Sequence, residues 1–99
     1  MKVTFLEEAE IELDDAIEYY NSTFSGLGDQ FLEEVLSAIK RIVNFPDAWH
    51  PLSDEIRRCQ TKRFPYGVIY AKLENEILII AVSNLHRRPE YWDNRYKSI

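Results

Sequence analysis

The chain has 99 residues, 45% hydrophobic and 13% aromatic, with a formal net charge of −5, which fits one compact domain of modest core and excludes a disordered chain. Its single Cys59 has no partner for an internal disulfide and, with only His50 and His86 beside it, no zinc-ligand spacing, so no metal, no cofactor and a reducing compartment are expected. Acidic residues from Glu7 onward exclude a secretory leader, and no apolar run approaches the ~20 residues that cross a bilayer, so the expectation is a cytoplasmic protein without a membrane partner.

VTFL at 3–6 is short and β-prone, stops where the carboxylates begin, and reads as a first strand. From Glu7 to about Tyr20, Ala9, Leu13, Ala16, Ile17 and Tyr20 recur at helical spacing, with Glu8, Glu12, Asp15 and Glu18 elsewhere on the wheel. Glu7, Glu8 and Glu10 suit the positive end of the helix dipole, which explains their charge without a catalytic role. Turn formers in NSTFSGLG, 21–28, end this helix. A second begins near Leu27, carries the stripe Phe31, Val35, Ala38, Ile39, Ile42, and stops at about Asn44 before Pro46.

The connector 45–55 reads as an ordered loop pinned by Trp49, with His50 a loop or packing residue. In IRRCQTKR, 56–63, alternation puts Arg57, Cys59, Thr61 and Arg63 on one face and Ile56, Arg58, Gln60 and Lys62 on the other. Neither face is apolar throughout, which fits an edge strand. VIYAKL, 68–73, and ILIIAVS, 77–83, form a hairpin through Glu74-Asn75-Glu76, and the second belongs in the middle of the sheet. Pro89 then opens one or two helical turns. The expected fold is α+β, in the order β-α-α-β-β-β: an N-terminal α-hairpin packed on one face of a mostly antiparallel four-stranded sheet, with a short C-terminal helical turn.

Charge divides the chain. Residues 1–55 hold three Lys/Arg against thirteen carboxylates, and residues 56–99 hold nine against four. Either the basic half receives a polyanion or an acidic protein segment, or the two halves attract each other across the fold. Arg57, Arg58, Lys62, Arg63, Arg87 and Arg88 interleave with Tyr66, Tyr70, Tyr91, Trp92 and Tyr96, and cations beside rings are what single-stranded RNA binding needs. Against that, Tyr70 reads as core and Trp92 as an anchor for the chain end. His86 beside Arg87 and Arg88 suits a metal-independent ribonuclease, with a proton carrier next to a phosphate clamp. The same trio also occurs in proteins without catalysis. No phosphate-cradling glycine loop, nucleophile elbow or metal cluster appears.

Four segments, EEAEIELDDAIEYY, LGDQFLEEVLSAIKRIVNFPDAW, RRCQTKRFPYGVIY and IIAVSNLHRRPEYWDNR, taken in this order, resemble the RelE/ParE superfamily of toxins from type II toxin–antitoxin systems, a plasmid stabilization function. The resemblance covers nearly the whole chain and implies one toxin domain over 1–99 with the β-α-α-β-β-β fold. It also implies a cognate antitoxin as partner, in a toxin–antitoxin hetero-oligomer. RelE-like members are mRNA endoribonucleases on the ribosome, and their pattern would make His86, Arg87 and Tyr91 catalytic. Arg57, Arg58, Lys62, Arg63, Arg87 and Arg88 would then bind target or RNA. The arginine that such nucleases place in the pattern Y-R-x-x-Y is Gly67 here, in YGVIY. That departure favours the ParE-like alternative, inhibition of DNA gyrase by protein binding. A remnant that only binds antitoxin is the third reading.

Overall fold

The structure is a computed structural model that describes residues 1–88 and 90–97. Pro89, expected to open the C-terminal turns, lies outside the described residues. Strand β1 (Lys2–Phe5) leads into helix α1 (Glu7–Thr23) and helix α2 (Leu27–Asn44). Four further strands follow, β2 (His50–Pro51), β3 (Ile56–Gln60), β4 (Tyr66–Lys72) and β5 (Glu76–Asn84), and a last helix, α3 (Asp93–Lys97). They form a five-stranded sheet in the order β1-β5-β4-β3-β2.

The sheet has five strands where four are expected, and it is mixed, because β1 runs parallel to β5 while the other pairs are antiparallel. The fifth strand is the His50–Pro51 pair opposite Arg58 and Arg57. Two residues carry no readable alternation, and Pro51, lacking an N–H, belongs on an edge. The parallel pairing follows from the two-helix return, which brings the chain back so that the β3-β4-β5 meander ends alongside β1 in the same direction.

Helix α1 runs three residues past its expected end at Tyr20, and Ser22 and Thr23 hydroxyls donate to Tyr19 O in its last turn. The helices cross where Gly28 meets Ile17: a Cβ on Gly28 would stand 2.2 Å from Ile17 O, so only glycine permits the approach. Phe31, Val35 and Ile42 of α2 and Ala9, Leu13 and Ala16 of α1 pack on Val68, Tyr70, Ile77, Ile79 and Val82 of the sheet. Tyr70 is fully buried and its hydroxyl donates to Pro46 O at 2.5 Å. Trp49 pins the connector as expected, its Nε1–H donating to Arg41 O at 3.2 Å.

The other face of the sheet, here the far face, carries a second core of Ile56, Ile69, Ala71, Leu78, Ile80 and Ala81 under Trp92. Both Ile80 and Ala81 point there because β5 bulges: Ile69 pairs with Ala81 but Tyr70 with Ile79, leaving Ile80 unopposed. The bulge reverses the alternation. Val82 therefore returns to the helices, and Ser83, opposite Gly67, faces away from them. Among the described residues no helix is long and apolar enough to cross a membrane.

Candidate functional site

Gly67, near the start of the middle strand β4, and Arg58 of β3 meet on the far face. Gly67 pairs with Gln60 of β3 and Ser83 of β5. A Cβ on it would lie 2.8 Å from both Cγ and Cδ of Arg58 and 3.4 Å from Cδ2 of Leu85. The stem of Arg58 thus crosses β4 through the space that any larger residue at 67 would fill. Arg58 lines a cleft of about 60 Å³ together with Leu52, Ile69, Ser83, Asn84, Leu85, Arg87 and Trp92. The Nε–H of Arg58 is buried and has no hydrogen-bond partner among the described residues. On its other side Arg58 walls a larger cleft of about 630 Å³ at the β3 edge, with Arg41, Trp49, His50, Gln60, Thr61 and Lys62.

The C-terminal candidates are tied to an acid on the opposite end of the chain. Tyr91 Oη donates to Glu12 Oε2 at 2.7 Å. Arg95 clamps the same carboxylate from Nη1 at 2.8 Å and Nη2 at 3.0 Å. The Val82 N–H adds a fourth donor at 3.1 Å, while Arg95 Nη1 also donates to Ile80 O. These bonds stand where β1 has run out: the Leu6 N–H to Ile79 O bond is its last backbone bond to β5, and a side-chain pair supplies the groups that a longer strand would. Arg87 lies with its Cζ 3.8 Å over the Tyr91 ring and its Nη1 3.7 Å from Glu12 Oε2. Burial, with the Glu12 hydrogen bond second, pushes the Tyr91 phenol up to about 12. The Glu12 bond and ion pair raise Arg95 further. His86 is exposed on the turn after β5, where its backbone N–H donates to Asn84 Oδ1.

The remaining basic candidates separate. Arg57 faces the helix side and donates from Nη1 to Trp49 O at 2.8 Å. Arg63 sits in the left-handed region at φ 67° and pairs with Glu34 of α2 at 3.2 Å. That conformation ends the strand, with Thr61 Oγ1 donating to Phe64 O and Tyr66 O, so β3 stops at Gln60 where the sequence carries it to 63. Arg58, Lys62 and Arg88 remain for solvent or partner, and Arg87, though it touches Glu12 and Tyr91, is still about half exposed. Two participants are not singled out by the sequence, Glu12, which falls off the apolar stripe of the helical wheel, and Arg95. The available signal was the spacing of Ala9 and Ala16 around Glu12, small residues that let α1 approach the sheet there.

The family model for the ParE toxin of the type II toxin–antitoxin system parDE matches residues 3–91 of this chain. Among solved structures, a chain from the chromosomal ParDE TA system of P. aeruginosa superposes with a TM-score of 0.73 at 16% identity, covering 85% of this chain and 95% of that one. At that identity the likeness speaks for the fold alone. No curated protein matches the chain significantly.

Proposed function

The chain belongs to the ParE toxin family of type II toxin–antitoxin systems, and we propose that it arrests growth by binding DNA gyrase and is neutralised by a cognate antitoxin. Residues 1–99 act as one toxin domain in this reading, in the cytoplasm and in a hetero-oligomer with the antitoxin. The observation that carries it is the engagement of Tyr91 and Arg87 with Glu12. A phenol held at about 12 and donating to a carboxylate is poorly matched to proton transfer near neutral pH. Gly67, in turn, neither supplies a guanidinium nor has room for one beneath Arg58. A surface that presents cations without an assembled acid and base is suited to binding rather than to chemistry.

The expected result is that purified protein at excess stops supercoiling by purified gyrase, and that co-expressed antitoxin restores it. Unaffected turnover at excess toxin overturns the gyrase reading. One feature favours ribosome-dependent mRNA cleavage as the second reading: Arg58 lays its stem over β4 at Gly67 and lines the cleft beside it. Mapping mRNA ends on translating ribosomes decides it, since absence of cuts at the A-site codon removes the nuclease. Induced expression without antitoxin that leaves growth untouched would instead point to a remnant that only binds antitoxin.

A further inference from the structure

We propose that the far-face cleft between Arg58 and Arg87 is a carboxylate-binding site that receives one acidic side chain of a protein partner, with Gly67 the residue that lets Arg58 reach it. The proposal rests on the reading that this chain acts by binding protein.

The first argument is an unmet hydrogen-bonding demand. Arg41, Arg57, Arg63, Arg87 and Arg95 all have acceptors or carboxylates: Gln60 O, Trp49 O, Glu34, Glu12 and Glu12 again. Arg88 is exposed to water. Arg58 is partly buried, and its Nε–H is shut from solvent without a hydrogen-bond partner among the described residues. A guanidinium whose stem is held in place and whose Nε–H lacks an acceptor is preorganised for an oxyanion, because little side-chain freedom remains to be lost on binding. Arg87, with a weak 3.7 Å contact to Glu12, stands across the same cleft, and Ser83 and Asn84 add neutral polar groups.

The second argument concerns which oxyanion. The cleft is small, about 60 Å³, and its other walls are Leu52, Ile69, Leu85 and Trp92. A planar carboxylate on a short aliphatic stem matches two guanidiniums beside apolar walls. A phosphodiester brings bases that need open ring faces. Here the Tyr91 ring is covered by Arg87 at 3.8 Å and flanked by Arg95 at 5.0 Å, and Trp92 is only 6% exposed. Neither Tyr91 nor Trp92 thus offers a free ring face at this cleft, and the rings of Trp49 and His50 belong to the separate, larger cleft at the β3 edge. Gly67 belongs to the site because a Cβ at that position would evict the Arg58 stem.

The test uses isotope-labelled full-length protein, with sodium acetate, inorganic phosphate and a short single-stranded RNA as separate probes. The Arg58 Nε–Hε resonance and the Leu85 amide are expected to shift saturably with acetate. Arg58→Gln and Gly67→Ala are expected to weaken that response at least tenfold, while Lys40→Gln, on the outer face of α2, leaves it unchanged. The dispersion of the same spectra shows whether each variant is folded, and Arg58→Lys, which keeps the charge but not the fork, is expected to recover only part of the response. Lack of saturation in wild type, or an equal response in folded Arg58→Gln, overturns the proposal. Tighter saturation by RNA than by acetate also overturns it, in favour of nucleic acid. Neither gyrase nor ribosome is present, so this result is independent of the supercoiling assay. Failure there with acetate binding intact refutes the target and leaves the site.

Discussion

At the scale of single residues, the phenols report the fold more directly than any other titrating group. Burial pushes both Tyr70 and Tyr91 up to about 12, helped at Tyr91 by the bond to Glu12. Raised folded-state values mean that the native protein holds these protons more tightly than the unfolded chain, whose tyrosines titrate near 10. Their contribution to stability is therefore complete below pH 10 and is lost as pH rises toward 12. Tyr91→Phe is expected to flatten part of this alkaline decline while lowering stability at neutral pH by about 2 kcal/mol, the worth of one hydrogen bond to a charged group. Denaturant midpoints measured from pH 8 to 12, with tyrosinate absorbance followed alongside, check both. An alkaline slope identical to wild type would mean that Tyr91 ionises as freely folded as unfolded. A phenol confirmed as raised cannot serve as the acid or base of a nuclease at neutral pH without first leaving Glu12, which links this measurement to the choice of function.

At the scale of elements, the C-terminal segment is held less by its own helix than by α1. The five-residue α3 is too short to persist alone, and Trp92 under the sheet together with the Arg95–Glu12 clamp fixes it. With both side chains only 15–16% exposed, Glu12→Gln is expected to cost about 3 kcal/mol, because it leaves Arg95 with no full counter-charge. It should also raise hydrogen exchange at the Val82 amide and speed proteolysis after residue 85. Unchanged exchange at Val82 would mean that Glu12 is ornamental to the edge of β5. This element marks where sequence reading reaches its limit. The bounds of α2, Leu27–Asn44, were legible because an apolar stripe ran between a turn cluster and Pro46. The alternation in β3 was legible as far as Gln60, which already put Arg57 and Arg58 on opposite faces. What escaped depended on partners distant in sequence: the His50–Pro51 strand, the parallel pairing of β1, the bulge that turns Ser83 toward the far face, and the bond from residue 91 to residue 12. Likewise, Arg58 and Arg87 stood out by type, but that they share a cleft follows from the empty space over Gly67, which no local pattern announces.

At the scale of the whole molecule, the acidic first half and basic second half meet in the four ion pairs found among the described residues, Glu34–Arg63, Asp47–Lys72, Glu12–Arg87 and Glu12–Arg95, each joining one half to the other. Mutual attraction thus accounts for part of the asymmetry. It leaves Arg57, which is spent on Trp49 O, and Arg58, Lys62 and Arg88, with Arg58 and Lys62 walling one cleft. The two uses of charge respond differently to salt. Exposed pairs such as Lys72–Asp47 contribute roughly 0–1 kcal/mol each, and the buried Arg95–Glu12 clamp is little screened, so raising salt from about 0.05 to 0.5 M should move the unfolding midpoint only slightly. Long-range attraction between a basic surface and an acidic partner is screened over that range, and the association rate with antitoxin or gyrase should fall by about tenfold or more. Thermal unfolding and stopped-flow association across one salt series measure both. A midpoint that falls steeply while association stays constant would mean that the charge asymmetry serves to hold the fold, and would remove the electrostatic ground for a partner surface on the far face.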